Sequence, residues 1–411
     1  MNSSIKNELI IKSSNEIIQT MDKCTKCGIC NAYCPVSGVT NIFPGPKYTG
    51  PQSQRFRSIE DFDEFSPDLC NGCGICMSVC PNDVAITDII TIAKSNLNNK
   101  NKKISLLQKI LNRPEMVGKI GNIFPYISNF ILNNFLLRFI AEKLLNLSSL
   151  APLPKFSGNK LNKFNLNNNS NKEKNILYFS GCAVDNYDQN IGIITIKLMN
   201  FLGYNVETIS GLCCSLPMLS SGEWDSAKKR SKKLIDTLNN KLNSPKDIIF
   251  TSTSCSLTIK KKYAAYLDFV DEKSLNVSNS TNDICEYLLK NHSKDLIKKF
   301  KPINKKIFYH GPCQLRSHGI GQPALRLLRL IPNISLTVSE ADCCGIGGTF
   351  GYSKKNINIS KEISKNLLNQ VKLDNPDIIL CDSETCRWNI EKNSSIRTLH
   401  PIEIIANSLN L

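Results

Sequence analysis

Short apolar runs separated by segments of helical period fill the C-terminal half of the chain. "ILYFSGC" (176–182) leads into a helical pattern, the run "NVETI" (205–209), a second helical pattern and the run "DIIF" (247–250). The same order returns as "IFYHGPC" (307–313), "SLTV" (335–338) and "DIIL" (377–380). Short apolar runs of this kind read as strands, and their alternation with helices predicts an open parallel sheet covered on both faces. The half is therefore an internal duplication, with one copy over 176–290 and the other over 300–411.

Upstream, "IFPYISNFILNNFLLRFIAEKLLNL" (123–147) spaces Asn129, Asn133, Arg138, Glu142 and Asn146 four to five positions apart. That period predicts one amphipathic helix with a broad apolar face. Arg138, Glu142 and Lys143 interrupt the run, so it is not expected to span a membrane. The apolar face could pack on its own domain, or dock on a membrane or a partner. The polar stretch 159–175 reads as a linker, which makes 96–175 a helical basic segment with a linker at its end.

Residues 1–95 are organised by cysteines instead of by periodicity. "CTKCGICNAYCP" (24–35) and "CNGCGICMSVCP" (70–81) both follow C-x2-C-x2-C-x3-C-P. In such a run three cysteines wrap one cubane and the fourth reaches across to the other cluster. Cys24, Cys27, Cys30 and Cys80 are thus assigned to one [4Fe–4S] cluster, and Cys70, Cys73, Cys76 and Cys34 to the second. Gly28 and Gly74 are expected to let backbone amides approach the sulfurs, and Pro35 and Pro81 to turn the chain out of each loop. Two structural zinc sites are the competing reading, but zinc gains nothing from the repeated fourth Cys-Pro. The chemistry of such a module is one-electron transfer.

The duplication has cysteines of its own. Cys182 precedes Cys213 by 31 residues and Cys313 precedes Cys343 by 30; Cys214 to Cys255 spans 41 and Cys344 to Cys386 spans 42. Neighbours in the chain, as in the two CC pairs, are poorly placed to bond each other. All these cysteines follow predicted strands, where sites gather in parallel sheets, so each copy should bring four sulfurs together. They could hold one cluster per copy, share one centre, or remain thiols. "GIGG" after the second pair is not a dinucleotide fingerprint, because Phe350 stands where a third glycine is required. Cys285, beside Ile284 and Leu288, reads as core. His310, three residues before Cys313, either tunes a metal centre or packs at a strand end.

Composition narrows the setting. Eighteen cysteines, with no export signal read in "MNSSIKNELIIKSSNEIIQT", point to metal ligation in a reducing cytosol and away from a disulfide framework. The formal net charge of +16 is uneven: residues 96–175 carry thirteen Lys/Arg against three Asp/Glu, while 20–95 carry six against eight. Nucleic acid is not an expected partner despite this basicity, since zinc-finger His pairs and an aromatic-basic RNA signature are not found.

The C-x(30)-CC-x(40)-C plan resembles the duplicated cysteine-rich domain of the heterodisulfide reductase B subunit and its relatives. Behind a ferredoxin module, it resembles the iron–sulfur subunits of glycolate oxidase and of anaerobic glycerol-3-phosphate dehydrogenase. "CPVSGVTNIFPGPKYTGPQSQRFR" (34–57), "ADCCGIGGTFGYSKKN" (341–356) and "CDSETCRWNIE" (381–391) are similar to the iron–sulfur subunit family of the latter. A glycolate-oxidase-type subunit would more typically show a Gly-Pro-Arg-Gly-Arg run after the first cluster motif. The resemblance runs from about Cys24 to the C-terminus.

It implies an α+β two-cluster ferredoxin module followed by a duplicated α/β cysteine-rich domain with parallel sheets. It also implies a non-catalytic electron-transfer subunit, peripheral on the cytoplasmic side of the membrane. Flavin-containing partner subunits would oxidise sn-glycerol 3-phosphate to dihydroxyacetone phosphate, and this chain would pass the electrons through two [4Fe–4S] clusters toward the quinone pool. A glycolate or lactate oxidase subunit, and an enzyme reducing a disulfide at the CC site, are the alternatives. Cys313, Cys343, Cys344 and Cys386 are a candidate third centre, and Cys182, Cys213, Cys214 and Cys255 a weaker one. Relatives often end each copy with C-x-x-C. Here Ser252 and Ser383 occupy the earlier position, and Cys381 substitutes only if the strand end shifts. Ser215 follows the first CC pair where glycine is preferred and is expected to crowd that site.

Overall fold

The computed structural model describes residues 13–57, 67–101, 104–158, 161, 164, 174–242 and 247–411. The first twelve positions of the N-terminal stretch and nearly all of the linker expected over 159–175 lie outside the described residues.

Six apolar runs become six strands, and each copy adds a fourth. β1 (Lys174–Phe179), β2 (Tyr204–Ile209), β3 (Ile248–Phe250) and β4 (Thr281–Asp283) form one sheet in the order β2-β1-β3-β4. β5 (Lys306–Tyr309), β6 (Ser335–Val338), β7 (Ile378–Leu380) and β8 (Thr398–Leu399) form the other in the order β6-β5-β7-β8. All pairings are parallel and the registers correspond: Phe179 pairs with Ile209 and Phe250, Tyr309 with Val338 and Leu380.

The strands are buried on both faces, as expected for parallel sheets. Ile176 and Tyr178 of β1 enter a core that also holds Ile307, Tyr309 and Leu380 of the second copy. Leu177 and Phe179 enter a different core, closed by Ile86, Ile89 and Ile90 of the helix Ile86–Asn101. Each such side chain contributes about 1.5–3 kcal/mol when fully buried. The shared apolar core therefore fixes the two copies as one packed body, with the ferredoxin module closing the other side of the first sheet. Cys285 sits in the shared core between Ile284 and Leu288, fully buried.

The segment 123–147 departs from the single helix its period predicts. It forms two helices, Pro125–Asn133 and Phe135–Leu145, broken at Asn134. Asn134 has an extended ψ of 120°, and its side chain caps the second helix by accepting from the Leu137 N–H at 3.1 Å. Neither helix has a buried residue. The polar stripe faces the protein: Asn129 exchanges hydrogen bonds with the Phe156 backbone at 2.8 and 3.0 Å, Arg138 donates to the Ala151 carbonyl, and Glu142 accepts from the Ser149 N–H. The apolar face is turned outward. Tyr126 is 90% exposed, Phe130 66%, Phe135 73% and Leu144 76%. That arrangement excludes the core-helix reading. Among the described residues no helix is long and apolar enough to cross a membrane.

Candidate metal centres

All eighteen cysteines fall in described positions and none forms a disulfide. The ferredoxin module places its eight around two spaces. One, of about 310 Å³, is lined by Cys24, Cys27, Cys30 and Cys80; the other, of about 290 Å³, by Cys34, Cys70, Cys73 and Cys76. These are the crossed quartets read from the spacing. Burial, then the neighbouring Cys24, Cys80 and Cys27, push the Cys30 thiol up to about 11. Burial pushes Cys76 well up, with Cys70 the next cause, although Thr87 Oγ1 at 3.1 Å opposes it. Such thiols release protons when they ligate metal. Among the described residues no three ligand side chains meet closely enough for a single ion; the quartets stand around open space. A soft, all-thiol donor set around such a space fits an iron–sulfur cluster.

Each motif enters a short helix through a left-handed glycine, Gly28 at φ +87° and Gly74 at φ +77°. At Gly74 a Cβ would lie 2.1 Å from Ser317 Oγ, because the second copy docks there. Ser317 Oγ donates to the Cys73 carbonyl at 3.1 Å and Gln314 Nε2 to the Gly72 carbonyl at 3.3 Å. Cys34, Cys70 and Cys73 thereby share an apolar cluster with Cys313 and Cys343. Burial, then Cys343, raise the Cys73 thiol. Lys262, donating to Gln314 Oε1 at 3.3 Å, stands near Cys313, Cys214 and Cys73. Sequence spacing gave no sign of this junction.

The cysteines of the duplication lie beyond the carboxyl ends of the strands. In the first copy Cys213 Sγ is 4.0 Å from Cys182 Sγ and Cys255 Sγ is 3.2 Å from Cys214 Sγ. In the second, Cys344 Sγ is 2.9 Å from Cys386 Sγ, and Cys313 stands beside Cys343. Cys381, fully buried, also reaches Cys386, so the strand end brings a fifth sulfur to the second copy.

Ser215 does not crowd its site. It adopts the left-handed turn (φ +61°) that Gly345 adopts at φ +91°, and each residue's N–H points to the first cysteine of its pair, at 3.4 and 3.3 Å. Ser252 Oγ donates to the Glu384 carboxylate at 3.1–3.2 Å and accepts from the Cys255 N–H at 3.4 Å, and Ser383, which precedes the helix Glu384–Ser394, stands beside Cys386. His310 is fully buried, with Nδ1 3.3 Å from Ser339 Oγ and Nε2 without a partner. Burial lowers its pKa, opposed by Cys386 and Cys343 nearby.

Crossed thiol quartets beside a duplicated parallel-sheet domain with paired cysteines at its strand ends define an iron–sulfur electron-transfer protein. Residues 20–84 match the 4Fe-4S dicluster domain family, and residues 176–260 and 307–391 match the cysteine-rich domain family. The chain belongs to the family of the anaerobic glycerol-3-phosphate dehydrogenase C subunit: it is 31% identical to that protein of Escherichia coli (strain K12) over 397 residues, 95% of this chain and 99% of the relative. It is 26% identical over 242 residues to lactate utilization protein A of Bacillus licheniformis, covering 55% of this chain and 97% of that one. The B subunit of fumarate reductase (CoM/CoB) from Methanothermobacter marburgensis is 26% identical over 239 residues, 57% of this chain and 45% of that one.

Proposed function

We propose that the chain carries single electrons from flavin-containing subunits that oxidise sn-glycerol 3-phosphate toward the quinone pool, and has no catalytic residue of its own. The observation that carries this is the pair of thiol-lined spaces built from crossed motifs. Cys24, Cys27, Cys30 and Cys80 would hold one [4Fe–4S] cluster, and Cys34, Cys70, Cys73 and Cys76 the other. Each cluster, when bound, supplies a reversible one-electron store. Cys27 is exposed, which leaves the first quartet open to a partner surface, whereas Cys73 and Cys76 are buried against the rest of the chain. The first quartet is therefore the one a partner surface could approach, and the second lies at the junction with the cysteine-rich copies.

The domain limits follow the same division: a ferredoxin-like domain over 1–95, a basic segment over 96–175, and cysteine-rich copies over 176–290 and 300–411. Cys313, Cys343, Cys344 and Cys386 form the candidate third centre, now with Cys381 in reach, and Cys182, Cys213, Cys214 and Cys255 a fourth set. The outward apolar face of the helices Pro125–Asn133 and Phe135–Leu145, within a basic segment, supports peripheral attachment to the cytoplasmic side of the membrane. A second reading, disulfide reduction at the CC site, draws on the 2.9 Å approach of Cys344 and Cys386.

Isolation of the chain with its native partners from membranes tests the proposal. Quinone-linked oxidation of sn-glycerol 3-phosphate by the isolated complex is expected. Oxidation of glycolate or lactate instead would replace the partner assignment, and disulfide reduction by the chain alone would favour the second reading.

A further inference from the structure

Three consecutive lysines, Lys260, Lys261 and Lys262, close a π-helical turn over Thr258–Lys262 in the first cysteine-rich copy. A run of cations ordinarily faces water. Here all three are only partly exposed and each is engaged by protein. Lys260 pairs with Glu286 at 3.5 Å, Lys261 Nζ donates to the Ser317 carbonyl at 3.4 Å, and Lys262 Nζ donates to Gln314 Oε1 at 3.3 Å.

Two short relays lead from these lysines to the loop of the second ferredoxin motif. Gln314, next to Cys313, accepts from Lys262 and donates its own Nε2 N–H to the Gly72 carbonyl at 3.3 Å. Ser317, whose carbonyl takes Lys261, donates from Oγ to the Cys73 carbonyl at 3.1 Å. Cys73 lines the second thiol space with Cys34, Cys70 and Cys76. On the other side, Tyr263, the next residue after Lys262, donates to the Cys214 carbonyl at 2.9 Å. The Lys262 ammonium thus stands near thiols of all three cysteine-bearing units: Cys73, Cys313 and Cys214. Asp88, which accepts from the Tyr266 hydroxyl at 2.6 Å, is the neighbouring carboxylate and offsets part of its charge.

Withdrawing an ammonium from water is costly unless negative charge lies near it. A cluster held by four thiolates is such a charge, and uptake of one electron makes it more negative, with no bond broken and no proton moved. A fixed cation beside it therefore favours the reduced form, more strongly in a partly buried site than in water. Removing the cation would also leave Asp88 uncompensated, which acts in the same direction. We propose that Lys262 sets the reduction potential of the cluster that Cys34, Cys70, Cys73 and Cys76 would hold, raising it and so stabilising an electron at the junction with the cysteine-rich copies. This rests on the carrier reading, since it requires a cluster at the second quartet.

The test uses the full chain with its clusters assembled, titrated anaerobically with dithionite in the presence of redox mediators and followed by electron paramagnetic resonance. Cys34→Ala identifies the signal of the second quartet. Lys262→Met and Lys262→Gln remove the charge, and Lys262→Arg keeps it. Each neutral variant is expected to lower the reduced-to-oxidised ratio of the second-quartet cluster at least about tenfold at a fixed ambient potential, which is about 59 mV for one electron. Iron content and the potential of the first-quartet cluster should stay unchanged, and Lys262→Arg should stay close to the parent. A shift shared equally by both clusters, a shift as large in Lys262→Arg as in the neutral variants, or loss of iron in both neutral variants would overturn the proposal and make Lys262 a structural residue. Unshifted potentials in fully loaded neutral variants would overturn it and leave the carrier reading standing. A parent chain that holds no cluster at the second quartet would sink both. A second-quartet potential that shifts as expected, in a chain whose native complex oxidises no substrate with quinone, would support the role of Lys262 and sink the carrier reading.

Discussion

Replacing Tyr126, Phe130, Phe135 and Leu144 together with serine should detach the protein from lipid while leaving its fold intact. These four side chains are 90%, 66%, 73% and 76% exposed. Full burial of such a side chain contributes about 1.5–3 kcal/mol. Insertion among lipid headgroups is partial, so about 1 kcal/mol each is the conservative figure, or about 4 kcal/mol for the set. That corresponds to a roughly thousandfold weaker partition. The fold should tolerate the change because none of the four is part of a core, and exposed substitutions usually stay within about 0.5 kcal/mol each. Flotation with vesicles of neutral lipid, with and without an anionic lipid, measures the effect, and iron content with thermal unfolding checks integrity. Anionic vesicles should bind the parent more tightly at low salt, because the surrounding segment carries thirteen Lys/Arg against three Asp/Glu. A folded, cluster-loaded quadruple variant that floats as well as the parent would refute the reasoning, as would a parent that never binds vesicles.

Two other perturbations follow from named contacts. Cys34→Ala should damage the cluster of the second motif, because Cys34 lines that space with Cys70, Cys73 and Cys76; electron paramagnetic resonance showing loss of the first motif's cluster would contradict it. Asp283 is buried and burial raises its pKa to about 6, while its Oδ1 caps the Cys285 N–H at 2.9 Å. The folded state then binds more protons than the unfolded chain between about pH 4 and 6, so this group costs stability as pH rises through that window. Asp283→Asn keeps the cap and cannot ionise. It should gain on the parent by an amount growing to about 3 kcal/mol above pH 6, read from denaturant midpoints; a pH-independent difference would contradict it.

What the sequence discloses depends on how local the cause is. β1 to β3 and β5 to β7 are legible because each is a compact apolar run that must be buried on both faces. β4 ("TND") and β8 ("TL") have no such run and exist through pairing with β3 and β7. The crossed quartets are legible because their geometry is written in spacings of a few residues. The contact of Cys73 with Cys313 and Cys343 is not, since it depends on two surfaces meeting at Gly74 and Ser317. Cys381 escapes for a similar reason: only the actual end of β7 decides whether its sulfur reaches Cys386. Periodicity revealed the two-faced character of 123–147 but not its orientation. That is set by Phe156, Ala151 and Ser149, whose backbone groups engage the polar stripe.

The central claim is that the eight ferredoxin-module cysteines hold two iron–sulfur clusters. Anaerobic purification of the full chain, with iron, acid-labile sulfide and zinc measured against protein, tests it most directly. The account predicts roughly eight or more iron atoms per chain, with matching sulfide and paramagnetic signals on reduction. Roughly four or fewer irons after full reconstitution, with zinc in their place, would contradict it.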